Sequence, residues 1–210
     1  RNFSRLDEDD LKDADLNEGI RSTLAVLSPQ YKDKVQVDLA FGTVPQVECF
    51  PGKVNQVFMN VLTNAVQATF ARQDNEPRMI RVTTSQVNDH VLVSIKDNGV
   101  GMTDDVKARM YDPFFTTKPS GPGTGIALVT SAPIIRGHHG FLQIYSEPGN
   151  GSRFRVYLPA ASGEVTAEVP TNQAPGTTLP RGAGERVLIV DDETEIRTST
   201  RHALEGHGFT

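Results

Sequence analysis

Three stretches of this 210-residue chain carry residue types whose spacing could do chemistry. In "NQVFMNVLTNAVQA", residues 55–68, Gln56, Asn60, Asn64 and Gln67 recur three or four apart, a row of uncharged amides beside an apolar stripe of Val57, Phe58, Val61, Leu62, Ala65 and Val66. A solvated helix face ordinarily carries Glu, Lys and Arg, and Asn is a poor helix former, so two of them one turn apart are a local cost that asks for a reason. In "DNGVGM", residues 97–102, Asp97 closes an alternating run with an acceptor carboxylate, while Gly99 and Gly101 would let a flat ligand approach the backbone. A carboxylate that accepts from an exocyclic amine selects adenine over guanine. The same string also reads as a plain turn after a strand. In "YDPFFTTKPSGPGTGIAL", residues 111–128, Phe114 and Phe115 can anchor a loop on the core, and Thr116, Thr117 and Lys118 are donors. Gly121, Gly123 and Gly125 leave backbone N–H groups free to converge on phosphate where a helix starts. Taken alone these glycines suit a flexible surface loop equally well, and no Gly-Lys-Ser/Thr closes them into a P-loop.

The elements that must position these groups follow from periodicity. Leu16, Ile20, Leu24 and Leu27 share one helical face over residues 16–30, with Gly19 a weak point. Residues 35–41 and 46–50 read as strands, the amide helix spans about 52–71, and the alternating runs 79–87 and 90–97 form a hairpin. A short helix near 103–110, the glycine-rich loop, and a helix of about ten residues come next. "GFLQIYSEP" and "GSRFRVYLP" then form a second hairpin through "GNG". Residues 2–12 are charged and could end a helix that begins upstream.

Composition narrows the class. The net charge of -5, with no basic tract, does not suggest a nucleic-acid partner. The single cysteine, Cys49, reads as a buried core thiol and fits a reducing compartment. No run spans a bilayer and no signal peptide is visible. The chain begins at Arg1 rather than Met, so it is read as a fragment, a processed product or an excised piece of a longer chain.

Read together and in order, the motifs resemble the ATP-binding catalytic domain of sensor histidine kinases, in the superfamily that includes gyrase, heat-shock chaperones and mismatch-repair ATPases. "NQVFMNVLTNAVQA" looks like the N box, "DNGVGM" the G1 box, "DPFFTTK" the F box, "GPGTGIAL" the G2 box, and "SEPGNGSRFRVYLP" the closing hairpin. The resemblance covers residues 16–159 and implies an α+β fold, a two-layer α/β sandwich of the Bergerat type with helices on one face of a mixed sheet. It implies ATP and Mg²⁺ as cofactors, with Asn64 the metal ligand and Asn60 against the phosphates or the metal's water. An amide gives an oxygen to a hard cation without setting negative charge beside a triphosphate, which would account for the amide row. Gln67 stands where many relatives carry Lys. Asp97 takes the adenine-binding role, with Gly99, Gly101 and Ser152 around the base. The resemblance further implies that Phe115, Thr116, Thr117, Lys118, Gly121, Gly123 and Gly125 line the nucleotide and that Asn60, Asn64 and Lys118 serve transfer.

There are departures and continuations. The G2 box carries Ala127 where relatives have a last glycine, "GHHG" at 137–140 replaces a His-Gly-Gly, and Pro133 falls inside the helix after the loop, where proline costs about 3 kcal/mol outside the first turn. Residues 1–15 resemble the end of the dimerisation hairpin, 160–184 a flexible linker rich in Ala, Pro, Gly and Thr, and 185–210 the start of a receiver domain cut short. Asp191 and Asp192 match that domain's Mg²⁺-binding acidic pair. None of His90, His138, His139, His202 and His207 lies in a phosphoacceptor box, and each reads as a surface or turn residue. The function implied is transfer of the γ-phosphoryl group of ATP to a histidine on a dimerisation domain outside the chain, in a bacterial two-component phosphorelay. The partners implied are that domain, a receiver domain or response regulator, and a homodimeric parent. The location implied is the cytoplasm, with any membrane anchor in other segments of the parent and no membrane contact by this chain. Rival readings are a nucleotide-sensing or scaffolding module without turnover, motivated by Ala127 and Pro133, and an ATPase or serine kinase on the same fold.

Overall fold

The computed structural model describes residues 10–74, 76–112, 114–116 and 126–161. Among these residues seven strands and four helices follow in the order β1 (Lys12–Ala14), α1 (Leu16–Tyr31), β2 (Gln36–Phe41), β3 (Val47–Cys49), α2 (Pro51–Phe70), β4 (Met79–Val87), β5 (His90–Asp97), α3 (Asp104–Arg109), α4 (Ala127–Gly137), β6 (Phe141–Glu147) and β7 (Gly151–Pro159). Five strands make one mixed sheet in the order β2-β4-β5-β7-β6, with β2 and β4 parallel and the other pairs antiparallel. Helices pack on one face, where Ile80, Val82, Val91, Val93, Ile95, Phe154, Val156 and Leu158 alternate inward to meet Leu16, Ile20, Leu27, Val57, Phe58, Val61 and Leu62. This is the helices-on-one-face sandwich expected from the motifs. No helix among the described residues is long and apolar enough to cross a membrane.

Local chemistry sets the element ends. Asp15 caps α1 by accepting from the Asn17 N–H at 2.8 Å, and Pro51 starts α2, where a missing N–H is harmless. Gly19, read as a weak point of α1, is a contact point: Asn55 Oδ1 of α2 stands 2.5 Å from where a Cβ would sit. Cys49 is buried as expected, its thiol pushed up to about 11 chiefly by that burial. One expectation is corrected here. The segment read as the end of an upstream helix is not helical over residues 10–15: Lys12–Ala14 pair antiparallel with β3, Lys12 opposite Cys49 and Ala14 opposite Val47. The Asp15 cap makes α1 a fresh start, so no helix runs through from residues 10–14 into it, and pairing with β3 holds Lys12–Ala14 extended. Residues 1–9 and everything from 162 onward, including the linker and receiver-like stretches, lie outside the described residues.

Candidate nucleotide site

The amide row runs along α2 with Gln56 exposed and Asn60, Asn64 and Gln67 half-buried. Asn60, Asn64 and Ala68 are spaced four apart and so share one line on the helix. At the upper end, Asn60 Nδ2 donates to the Ala127 carbonyl at 3.0 Å, to Ser131 Oγ at 3.1 Å and to Thr130 Oγ1 at 3.3 Å, fastening α2 to the first turn of α4. At the lower end, the Ala68 carbonyl accepts the Val100 N–H at 3.2 Å, fastening α2 to the turn after β5. Asn64 sits between these two fastenings and makes no hydrogen bond to another described residue. Its neighbours on the line have structural partners; it has its amide available.

Asp97 ends β5 and is only 2% exposed. Its Oδ1 accepts the Gly99 N–H at 2.8 Å and the Ser152 N–H at 3.2 Å, while Oδ2 is used by neither bond. Burial pushes this carboxyl up to about 6, and the two backbone bonds offset only part of that. The turn is held from several sides. Asn98 Oδ1 accepts the Met79 N–H and its Nδ2 donates to the Pro77 carbonyl, both at 2.8 Å. Gly101 takes φ +68°, and a Cβ on it would strike the Glu147 carbonyl; a Cβ on Gly99 would come within 2.5 Å of the Ala68 backbone. These glycines, read from sequence as room for a ligand, are first of all room for α2 and for the β6–β7 hairpin.

Two other expectations change. Phe114 does not anchor the loop: it is 75% exposed and holds φ +67°, a strained value for a bulky residue. Phe115 is half-buried, with the Arg109 guanidinium 4.3 Å over its ring. His138 lies in the turn that closes α4 but is buried there rather than at the surface, its Nδ1–H donating to the Ile134 carbonyl at 2.7 Å and its Nε2 accepting the Phe50 N–H at 3.0 Å. The unsatisfied N–H at the start of α2 is what draws it in. Pro133 stays within α4, seventh of its eleven residues, removing the N–H that would serve the Val129 carbonyl. Thr117, Lys118, Gly121, Gly123, Gly125, Asp191 and Asp192 lie outside the described residues, and Thr116 is exposed at the last described position before the glycine-rich stretch.

A model of the family described as histidine kinase-, DNA gyrase B- and HSP90-like ATPases matches residues 51–162. The chain belongs to this ATPase family. Similar proteins are sensor kinases. Sporulation kinase E of Bacillus subtilis is 38% identical over 144 residues, covering 67% of this chain and 18% of that protein. Sensor histidine kinase ZraS of Escherichia coli K12 is 33% identical over 152 residues, covering 71% of this chain and 31% of that protein. The chain thus spans less than a third of the length of either. Among solved structures, the catalytic domain of histidine kinase ThkA superposes with TM-score 0.60 at 27% identity over 71% of this chain and 95% of that one. Full-length ShkA in complex with AMPPNP superposes with TM-score 0.63 at 24% identity over 99% of this chain and 42% of that one, a likeness of fold.

The ATPase domain also uses residues that sequence reasoning passed over. Ser146 is buried beside Ser152, their hydroxyls 2.9 Å apart, and it donates to the Gly151 carbonyl at 3.1 Å. The signal was present: Leu142, Ile144 and Ser146 are the inward positions of β6, so Ser146 is a polar group aimed at the core. Arg72, just past α2, reaches the Asn98 carbonyl while its Nη2 pairs with Asp74 at 2.7 Å and Glu76 at 3.0 Å. Nothing in the spacing of "ARQDNE" marks that long-range bond.

Proposed function

We propose that this domain binds ATP with Mg²⁺ and presents the γ-phosphoryl group to a histidine on a dimerisation domain, as one step of a two-component phosphorelay. The observation that carries the reading is the Asp97 carboxylate, almost out of solvent, with one oxygen held by two backbone N–H groups and the other used by neither. That second oxygen suits the exocyclic amine of adenine; guanine would set a carbonyl oxygen against it, acceptor facing acceptor. Ser146 and Ser152 steady the β6–β7 turn whose backbone supplies one of the two bonds. The solved ShkA complex with AMPPNP shows that a protein of this fold takes an adenine nucleotide.

The residues present fit the metal as well. Asn64 offers an uncharged oxygen, half-buried and without a described partner, and no cluster of three His, Cys, Asp or Glu among the described residues would hold a cation by itself. That is the donor set of a Mg²⁺ that arrives with phosphate ligands and keeps its waters. When bound, the cation neutralises phosphate charge; the protein's share is positioning. Lys118, Gly123 and Gly125 would face the phosphates, and Asn60, its amide nitrogen engaged with α4, would set how the start of α4 meets the nucleotide. On the same reading residues 185–210 open a receiver domain with Asp191 and Asp192 as its acidic pair, 160–184 link it, and the parent is a hybrid kinase that dimerises through its hairpin.

Two measurements test this. Asn64→Ala should abolish the Mg²⁺-dependent part of ATP-analogue affinity while the thermal midpoint stays within the small range of surface substitutions, about 0.5 kcal/mol. Loss of folding together with binding would make the amide structural instead. Incubation with labelled ATP and Mg²⁺ should leave the chain unlabelled, and an added dimerisation hairpin should acquire acid-labile phosphohistidine. Stable label on the chain would favour a serine kinase. An unlabelled, folded hairpin would favour the nucleotide-sensing reading that Ala127 and Pro133 motivate, and Ala127→Gly would be the first reversion.

A further inference from the structure

The sheet face turned away from the helices carries a line of charge that the nucleotide site does not use. Strand register sets Asp38, Arg81, Lys96, Arg153 and Tyr145 side by side across β2, β4, β5, β7 and β6. Alternation puts all five opposite the buried positions, so Lys96 points away from the face into which Asp97 is buried. Like charges directly across a ladder are destabilising, and here Lys96 faces a cation on either side. Arg81 has a partner, Asp38 at 3.3 Å. Lys96 and Arg153 have no side-chain ion pair or hydrogen bond to another described residue. Arg155, two residues along β7 on the same face, lies 5.5 Å over the Tyr145 ring, and its Nε is shut off from solvent without a hydrogen-bond partner. A buried guanidinium nitrogen with no acceptor is costly, and the described residues supply none for Arg155 Nε; the terminal nitrogens of the same guanidinium, not Nε, are the donors that an outside acceptor can reach. Glu147, the nearest acid on β6, accepts from the Asn150 amide at 3.1 Å.

We infer that this face is a docking surface for an acidic protein segment, with carboxylates accepting from Lys96, Arg153 and Arg155. Neighbouring strands lie about 4.8 Å apart and alternate residues on one strand about 6.6–6.8 Å, so the three cations form a compact triangle that side chains of one short segment can reach. Guanidinium forks match carboxylates in two-point geometry. The aromatic groups do not form a platform for bases: Phe141 and Tyr157 stack on each other with centroids 4.3 Å apart, and Arg155 covers one face of Tyr145. A long polyanion would also run past the patch into the field of a chain with net charge -5. This inference does not rest on the proposed kinase function, since the surface and the Asp97 site lie on opposite faces of the sheet.

The test titrates the ¹⁵N-labelled full chain with an octaglutamate peptide, a neutral Gly-Ser peptide, a single-stranded oligonucleotide and phosphatidylserine–phosphatidylcholine vesicles. Octaglutamate should shift amides of β4, β5 and β7 around Arg81, Lys96, Arg153 and Arg155, and added salt should weaken it. The Lys96→Glu, Arg155→Glu double variant should bind it at least about tenfold more weakly, an energy the scale of one charge-assisted pair. ATP-analogue binding should be unchanged, which also reports that the variant folds. Unchanged octaglutamate affinity in a folded double variant, or tighter binding of the oligonucleotide or the vesicles at this face, would overturn the inference. A reading without ligand stands beside it. Lys96→Gln removes one like charge and should raise the thermal midpoint at low salt; a lowered midpoint would mean that the cations hold the sheet together, and the docking role would fall.

Discussion

Asp97→Asn is expected to lose nucleotide and gain stability in one step. The carboxyl is pushed up from its ordinary 3.8 to about 6, mainly because it is buried. The folded chain therefore holds this proton up to about pH 6 whereas the unfolded chain releases it near pH 4, so the folded state binds more protons in that window. Stability must then fall as pH rises from 4 to 6 and stay lower above it, by roughly 3 kcal/mol at most for this group. Asparagine keeps an oxygen for the Gly99 and Ser152 N–H groups and has no charge to desolvate, so the variant should be more stable than the parent above pH 6 and no more stable near pH 4. Binding moves the other way. The amine of adenine needs an acceptor, and the amide nitrogen of asparagine, turned toward the base because the oxygen is occupied, offers a donor. The loss should be about 1–3 kcal/mol, up to a hundredfold or so in Kd. In the parent the same logic gives full affinity above pH 6 and a decline as pH falls through it, a profile that Asp97→Asn should flatten. Denaturation midpoints across pH, paired with calorimetric titration of an ATP analogue, read both halves. A variant that is destabilised above pH 6 would mean that the charge is compensated by contacts beyond the two backbone bonds.

Much of the framework of the candidate site was legible in the order of residues because its parts are local. The amide row, the strand-end aspartate and the alternating runs each announce themselves within about ten residues, and α2, β4 and β5 fall where periodicity puts them. What could not be read is what depends on a distant partner. Lys12–Ala14 carries no strand signal of its own and is extended because Val47–Cys49 is beside it. His138 looks like any histidine near a helix end until the start of α2 presents the Phe50 N–H to it. The parallel pairing of β2 with β4 spans α2 and β3, and no turn chemistry records it. Asn60 and Asn64 are the same residue type one turn apart, yet one is engaged in structure and the other is available, a difference set by α4, which lies some seventy residues away. The glycines show the same limit most sharply. A missing Cβ is visible in sequence; whether the space belongs to a ligand or to another stretch of backbone is decided by the tertiary fold.

That distinction predicts the second large effect. Gly101→Ala should be among the most damaging single methyl additions in the chain, and Gly149→Ala should not, although both glycines hold positive φ, +68° and +79°. Each substitution carries the left-handed penalty of about 1–2 kcal/mol. At Gly149 nothing lies within 4 Å of the added Cβ, so the cost should stop there. At Gly101 the Cβ meets the Glu147 carbonyl and lies 3.2 Å from the Gly151 carbonyl, both backbone, so no side chain can swing aside. The β6–β7 turn must move, and with it go the Gly149 N–H bond to the Val100 carbonyl at 2.8 Å and the Ser152 N–H bond to Asp97. Losing these should bring the total to about 3 kcal/mol or more, since each broken buried bond adds roughly 1 kcal/mol or above. The two variants should also part in function. Gly149→Ala should keep ATP-analogue affinity, because the Asp97 oxygen retains both its donors. Gly101→Ala, assayed well below its denaturation midpoint, should bind more weakly, because the carboxylate proposed to meet adenine has lost one of the two bonds that orient it. Urea denaturation of the two side by side isolates the backbone collision from the φ penalty they share. Equal costs would mean that the turn has room to spare, and that the glycine is kept there for the ligand after all.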